Sequence, residues 1–433
     1  MLTAEENERL TRVGAGTPMG ELFRRYWLPA LLSHELPAPD CPPMRVRLLG
    51  EDLVAFRDTN GRIGLLAEHC SHRRASLFYG RSEESGLRCI YHGWKYDVEG
   101  RILDTPAEPA ASMLKHHIRQ PAYPCQEVNG LVLTYMGPPD KMPLLPNYEW
   151  LTLPGEHVIV DSKFYNECNW LQALEGDLDS SHLPILHRRG EGLAPPMPLS
   201  VTFETQITRW GVKAACVRPA SEGCRYIRTN VFVMPCIGLP PIVPSVQGVN
   251  DGAHAIYQVP ADDYNVWRYD IVARRSVRIA DVEAHYAGPA AVREDPGRRR
   301  YNYMDEVGPG SRKIANRAND YLIDRDKQRT SIYSGINFSN HTQDACVTES
   351  MGPITDRTEE HLGVGDTQLV EIRRFLLDAL RDIDEGRDPP GTVIDPEDNV
   401  YPDLFMVDAT LPLSAPWTDR ESVMAHAGPT PGD

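Results

Sequence analysis

The sequence contains no apolar run near the ~18–20 residues that a membrane-spanning helix needs, which excludes a helical span. It also has no excess of positive charge. Lys and Arg number 45 against 61 Asp and Glu, a formal net charge of −16. Nucleic-acid binding rests on neutralising phosphates with Lys and Arg, and adhesion to anionic lipid needs a basic patch, so both classes are disfavoured. A negatively charged substrate would need a cation placed locally within this negative whole. There is no G-x-G-x-x-G dinucleotide fingerprint, so no nicotinamide site is expected in the chain itself. The first residues, MLTAEENERLTRVG, lack an apolar stretch and are acidic early; a secretory signal is not expected, and the cytoplasm is the expected location. The nine cysteines are odd in number. Seven of them (Cys41, Cys125, Cys168, Cys216, Cys224, Cys236 and Cys346) are scattered and expected to be small buried hydrophobes rather than disulfide partners.

A chain of 433 residues exceeds what one core organises, so two domains are expected. Thr3 followed by Glu6 fits a capping box that opens a short helix. From about residue 44 the texture changes to short β-branched runs joined by turn residues, and Asn60-Gly61 between two apolar runs marks a hairpin. Residues 44–138 read as a small antiparallel β domain, closed by the proline-rich boundary MGPPDKMPLLPNYEWLTLPG. Beyond it, NWLQALEGDLDSSHLPILH has helical character with an interruption at Pro184. Residues 200–275 alternate as in a multi-stranded antiparallel sheet. Residues 288–310 are polar and punctuated by Gly and Pro, and an irregular, mobile segment is expected there. DTQLVEIRRFLLDALRDI is an amphipathic helix with Leu369, Ile372, Leu376 and Leu380 on one face. The tail from Met424 is expected to fray. The fold class is α+β.

Chemistry concentrates in CSHRRASLFYGRSEESGLRCIYHGW, residues 70–94. Cys70 and His72 are followed, sixteen residues on, by Cys89 and His92. A zinc finger pairs its cysteines on one knuckle and its histidines at H-x3-5-H; this stretch does neither. An asymmetric two-iron cluster needs one sulfur and one nitrogen from each loop, since in a Rieske centre two thiolates hold one iron and two imidazoles the other. Cys70 and Cys89 would hold the inner iron, His72 and His92 the outer one. Structural zinc is the alternative.

A second group lies in EGDLDSSHLPILH, where Asp179, His182 and His187 are spaced D-x2-H-x4-H. Asp179 and His182 would share a helix face. Residues five apart on a regular helix point roughly 140° away from each other, but a bend at Pro184 would bring His187 round to His182. Two imidazoles plus one carboxylate form the facial triad of non-haem iron oxygenases, which leaves positions open for O₂ and substrate.

CSHRRASL…CIYHGWKY resembles the C-P-H-R-G-x-x-L…C-x-Y-H-G-W motif of Rieske-type ring-hydroxylating oxygenases, with Ser71 in place of the usual proline and Arg74 in place of the usual glycine. The likeness spans nearly the whole chain. LTRVGAGTPMGELFRRYWLPALL, VRLLGEDLVAFRDTNGRIGLL, VPADDYNVW and NDYLIDRDKQRTSIYSGI all look like the phthalate 4,5-dioxygenase-like branch of α (oxygenase) subunits. NHTQDACVTESMGPITDRTEEHLGVGD resembles that branch's Q-D-x4-E-S-x-G-x-I-x-D-R-x2-E-H-L-G block, in which the aspartate after glutamine completes the iron triad; here that is Asp344. Helix capping is the other reading of Asp344, and Glu349, Asp356 and Glu359 are weaker candidates for the third ligand. In the resemblance Asp179 is no ligand. It bridges a histidine of the mononuclear site to a Rieske histidine of a neighbouring subunit, because a carboxylate can accept an imidazole N–H from each side.

The resemblance further implies a Rieske [2Fe–2S] domain over 44–140, a catalytic mononuclear iron domain of helix-grip type over 141–433, and an N-terminal helical segment over 1–43 packed on the catalytic domain. It implies one Rieske cluster and one mononuclear Fe(II). Its implied partners are O₂, a separate NAD(P)H-dependent reductase carrying flavin and an iron–sulfur centre, and further copies of the chain in trimers or stacked trimers. The implied reaction is cis-dihydroxylation of an aromatic carboxylate such as phthalate or isophthalate. Arg209 and Lys213, four apart and expected on one face of a strand, together with Ser180, are the candidate carboxylate-binding residues. Three alternatives stand beside this: a Rieske monooxygenase performing O- or N-demethylation or ether cleavage, a non-catalytic Rieske electron carrier, and a zinc-stabilised binding module.

Overall fold

The computed structural model describes residues 2–190, 198–241, 245–281 and 306–428. Strands Met44–Leu48, Glu51–Arg57 and Ile63–Ala67 form a meander closed by Ala122–Tyr123. The Asn60-Gly61 signal turns its second hairpin: Gly61 adopts φ +81°, and the buried Asp58 carboxylate accepts the N–H groups of Asn60 and Arg62. A second antiparallel sheet runs Arg81–Glu83, Gly86–Arg88, Lys95–Tyr96 and Ile102–Asp104. Between these sheets Val54, Phe56, Leu66, Leu77, Leu87, Trp94 and Tyr96 make a small core that includes Cys70 and Cys89.

The segment expected to be helical through residue 43 is so only in part. Helices Ala4–Thr11 and Pro18–Phe23 are present, with Thr3 and Glu6 forming the expected capping box, and both pack on helix Thr367–Asp384. Trp27–Leu32 is instead a strand, paired with Leu131–Tyr135, which in turn pairs with Cys125–Val128. All six of its residues are buried, so the run has no helical polar face. It is an edge strand, where Pro29 removes no needed hydrogen bond, and the register shifts between Pro29 and Leu31.

The larger unit is built on an eight-stranded antiparallel sheet. Its order is Val158–Asn166, Asn265–Ala273, Ala253–Asp262, Ile237–Leu239, Cys224–Val233, Gly211–Pro219 and Thr202–Ile207, with Asp408–Pro412 also pairing along Cys224–Val233. Helix Trp170–Leu178 packs on this sheet, and Asn340–Ser350 packs on that helix. Thr367–Asp384 buries Ile372, Leu376 and Leu380 as its periodicity demands, while Leu369 is only half-buried. The expected fraying tail is ordered at its start: Met424–His426 end helix Arg420–His426, capped by Asp419. The expected irregular segment lies outside the described residues except for 306–310. No described helix is long and apolar enough to cross a membrane.

Candidate metal centres

Two loops carry the first set of donors. Each closes on itself by a main-chain bond over four residues, Arg74 N–H to Cys70 O and Gly93 N–H to Cys89 O. In each loop the closing residue has positive φ, +63° at Arg74 and +75° at Gly93. Arg74 therefore occupies a left-handed position that glycine takes at no steric cost. The loops bring Cys70 and Cys89 into the small core at 1% and 2% exposure. His72 and His92 lie nearer the surface, half-buried, with ring centroids 4.5 Å apart, and His72 stacks on Trp94. The Nδ1 of His92 is sealed from solvent without a hydrogen-bond partner, as suits a nitrogen that binds metal. Two inner sulfurs and two outer imidazoles match the needs of an asymmetric two-iron cluster.

The second set is organised by the end of a helix. The expectation that Asp179 and His182 share a helix face is not met, because helix Trp170–Leu178 stops before Asp179, whose backbone is extended (φ −83°, ψ 117°). Its carboxylate caps the following turn, accepting Ser181 N–H at 2.7 Å. Pro184 bends no helix; it opens the single turn Leu183–Leu186, where a missing N–H costs nothing. His182 and His187 flank that turn, and their Nε2 atoms lie 3.2 Å apart. Asp344 is interior to helix Asn340–Ser350, whose N-cap is Ser339, so it does not cap that helix. Its Oδ1 is 3.0 Å from His187 Nε2 and 3.5 Å from His182 Nε2. Among the described residues this is the only set of three or more His, Cys, Asp or Glu donors close enough to hold one metal ion. Glu349 instead accepts Glu167 N–H and the Tyr321 hydroxyl, Asp356 binds Thr358, and Glu359 is exposed.

Both imidazoles have an acceptor at Nδ1, which leaves Nε2 aimed inward and available to a metal ion. His182 Nδ1 donates to Asp179 Oδ2 at 3.1 Å, and His187 Nδ1 to Gln343 Oε1 at 2.8 Å. The Gln343 amide is fixed by its NH₂, which donates to Ile336 O. Burial, which lowers the pKa of His182, is outweighed by Asp179 and Asp344, which push it up to about 10. Burial would raise Asp344, yet His187 and His182 hold it well below the ordinary carboxylate range. The centre of the set favours positive charge, which a divalent cation supplies.

A cleft opens beside these donors, lined by Leu183, Pro240, Ile256, His254, His341, Arg228 and Arg268 among others. Arg268 is committed to Asp177 and Asp270. Arg228 makes no ion pair among the described residues, and it donates a hydrogen bond to Ser180 Oγ at 3.0 Å. The expected carboxylate-binding residues lie elsewhere. Arg209 sits in the turn between two strands, where alternation does not apply, and binds the carbonyls of Asp398 and Val400. Lys213 is buried against Phe405 and the Asp403 carbonyl. Ser180 is fully buried behind Arg228, and its hydroxyl accepts from Arg228 and from Asn230 at 2.9 Å. Sequence reasoning missed Arg228; its signal was Arg228 and Asn230 two apart in YIRTN, hence on one strand face.

Residues 26–124 match the Rieske [2Fe–2S] domain and residues 191–430 the family described as LigXa C-terminal domain like. The phthalate 4,5-dioxygenase oxygenase subunit of Pseudomonas putida is 37% identical over 90% of this chain and 89% of its own. The 3-chlorobenzoate-3,4-dioxygenase oxygenase subunit of Comamonas testosteroni is 38% identical over 90% of this chain and 92% of its own. The 5,5'-dehydrodivanillate O-demethylase oxygenase subunit of a Sphingobium species is 33% identical over 92% and 85%. A zinc-stabilised binding module and a bare electron carrier are thereby set aside. The chain belongs to the Rieske non-haem iron oxygenases, in the phthalate 4,5-dioxygenase-like branch of their oxygenase subunits, and its cofactors are one Rieske [2Fe–2S] cluster and one mononuclear non-haem iron.

Proposed function

We propose that this oxygenase cis-dihydroxylates an aromatic carboxylate, phthalate, isophthalate or a close relative, with O₂ and electrons from a separate NAD(P)H-dependent reductase. Cys70, Cys89, His72 and His92 would hold the Rieske cluster. His182, His187 and Asp344 would hold the mononuclear iron on one face, leaving the cleft side open. When bound, the two groups supply electron storage and O₂ activation. The observation that carries the substrate reading is Arg228, a guanidinium in the cleft wall that no carboxylate among the described residues neutralises. A guanidinium binds a carboxylate through paired, charge-assisted hydrogen bonds. Ser180 and Asn230 hold it in place from behind, while Leu183, Pro240 and Ile256 offer apolar surface to a ring. Asp179 holds His182 by its Nδ1–H, so the Nε2 lone pair stays directed at the iron.

Asp179 also lines a second cleft, together with His182, Leu186, Val347 and Met351. That placement supports its role as the bridge to a Rieske histidine of a neighbouring copy in a head-to-tail trimer, a heterologous contact that closes into a ring. A solution mass of one chain would remove this assembly. Nine cysteines without a disulfide support a cytoplasmic location.

Arg228→Ala tests the substrate reading. It should raise the apparent KM for phthalate about 30-fold, from loss of a charged hydrogen bond worth ~2 kcal/mol, and change that for the dimethyl ester less than threefold. Equal losses on acid and ester would remove the reading. Arg209→Ala should leave both unchanged. Oxidative O-demethylation is the second reading, favoured by the 33% identity to an O-demethylase subunit; it would release formaldehyde from a methoxylated acid.

A further inference from the structure

Ser71 stands where the family motif has proline, and its side chain is not idle. The Tyr96 hydroxyl lies 2.9 Å from Cys70 Sγ and 3.0 Å from Ser71 Oγ. Tyr96 is fully buried at the end of strand Lys95–Tyr96, and Cys70 is 1% exposed, so bulk water does not compete for the bond between them; Ser71 is half-buried. The Ser71 backbone is held as well: its N–H donates to Gln120 Oε1 at 2.8 Å, and the Gln120 NH₂ is fixed on the carbonyls of Ala67 and His69. Gln120 is 1% exposed. A proline at 71 would supply neither the N–H nor the hydroxyl, and would leave the buried Gln120 oxygen without a partner.

Counting protons fixes the direction of this chain. A metal-bound thiolate sulfur only accepts. Tyr96 has one hydroxyl proton, which can go to sulfur or to Ser71. Ser71 also has one, and Tyr96 Oη lies within its reach. With the Tyr96 proton on the sulfur, the 3.0 Å contact between Tyr96 and Ser71 is a hydrogen bond only when Ser71 donates to Tyr96 Oη. Hydrogen bonds to cluster sulfurs favour the more negative, reduced state and raise the reduction potential. A donor that is itself a hydrogen-bond acceptor donates more strongly.

We propose that Ser71 is a positioning residue for the Rieske cluster: it orients and polarises the Tyr96 hydroxyl toward Cys70 Sγ and so raises the cluster's potential. The cluster is thereby more readily reduced by the one electron arriving from the reductase, and no proton is transferred. The inference rests on Cys70 being a cluster ligand.

The test is a redox titration of the holoenzyme and its variants, followed by the visible circular dichroism and EPR signals of the cluster. Tyr96→Phe should lower the reduced-to-oxidised ratio at a fixed poise about tenfold, ~59 mV for one electron. Ser71→Ala should lower it about threefold, ~28 mV, and Ser71→Thr, which keeps the hydroxyl, should restore the parent value. In the Tyr96→Phe background Ser71→Ala should add nothing measurable, because its path to the sulfur is gone. An unchanged potential in Ser71→Ala overturns the proposal, and so does an equal drop in both backgrounds. Should Tyr96→Phe fail to assemble a cluster, the comparison of Ser71→Ala with Ser71→Thr still decides it. A parent protein without a Rieske signal would instead refute the ligand assignment.

Discussion

At the scale of single residues, what could be read in the sequence was whatever the spacing encodes. Cys70, His72, Cys89 and His92 lie in two short loops, and loops that close over four residues bring such donors together without help from the rest of the fold. His182 and His187 were legible for the same reason, although they flank a new turn where a bent helix was expected. Asp344 is over 150 residues away, and only its motif pointed to it. The spacing of Arg228 and Asn230 marks a shared strand face, but it takes the register of an eight-stranded sheet to show that this face is turned to the iron site. Gln343 was also overlooked, being adjacent to a ligand in sequence yet acting on a different one in space. Because Gln343 Oε1 accepts the His187 Nδ1 proton, Gln343→Leu should weaken retention of the mononuclear iron about 10–100-fold. Iron content after dialysis against a graded chelator measures this, and the Rieske absorption should be unchanged. Retention equal to the parent's would remove Gln343 from the support of the site.

At the scale of elements, helix Trp170–Leu178 shows why a break can be hidden from local propensity. Its last carbonyl, Leu178 O, accepts the side-chain N–H of Asn230 from the sheet, and a tertiary partner of that kind leaves no mark on the helical sequence itself. Trp27–Leu32 shows the reverse case: a continuous apolar run is compatible with a helix or a buried strand, and its pairing partner 100 residues on decides. Strand Gly211–Pro219 carries a charge its apolar neighbours do not explain. Burial lowers the pKa of Lys213 to about 8, and Asp403 only partly opposes this. The unfolded chain, with an ordinary lysine, binds more protons than the folded one between pH ~8 and ~10.5, so this residue's contribution makes stability rise with pH across that window. Below pH 8 the cost of a buried charge is fully present. Lys213→Met should therefore stabilise the protein at pH 7 by up to about 3 kcal/mol, with the advantage fading toward pH 10.5. Urea unfolding at pH 7 and pH 10 measures it, and a variant less stable than the parent at pH 7 would contradict the reading.

At the scale of the whole molecule, the two centres lie beside different clusters of buried residues, a small one around Cys70 and Cys89 and a large one that includes helix Trp170–Leu178. The large cluster ties the units together, since Val46, Leu53, Ala55 and Leu65 of the small unit's meander and strand Trp27–Leu32 belong to it along with the catalytic sheet. The α+β class and the order of the two units were legible because hydrophobic periodicity changes along the chain. The reaction was legible only to the level of an oxygenase, because ligand motifs specify the metals and leave the cleft open. The cleft is where Arg228 stands, and it is the basis for proposing an acid substrate; the proposed dioxygenation rests on the likeness to phthalate and chlorobenzoate dioxygenase subunits. The most direct measurement is turnover of phthalate and isophthalate by the holoenzyme and a reductase under ¹⁸O₂, with products identified by mass. The account predicts a cis-dihydrodiol that retains the carboxylates and carries both atoms of one O₂. A product with a single labelled oxygen, or turnover only of methoxylated substrates with release of formaldehyde, would contradict it.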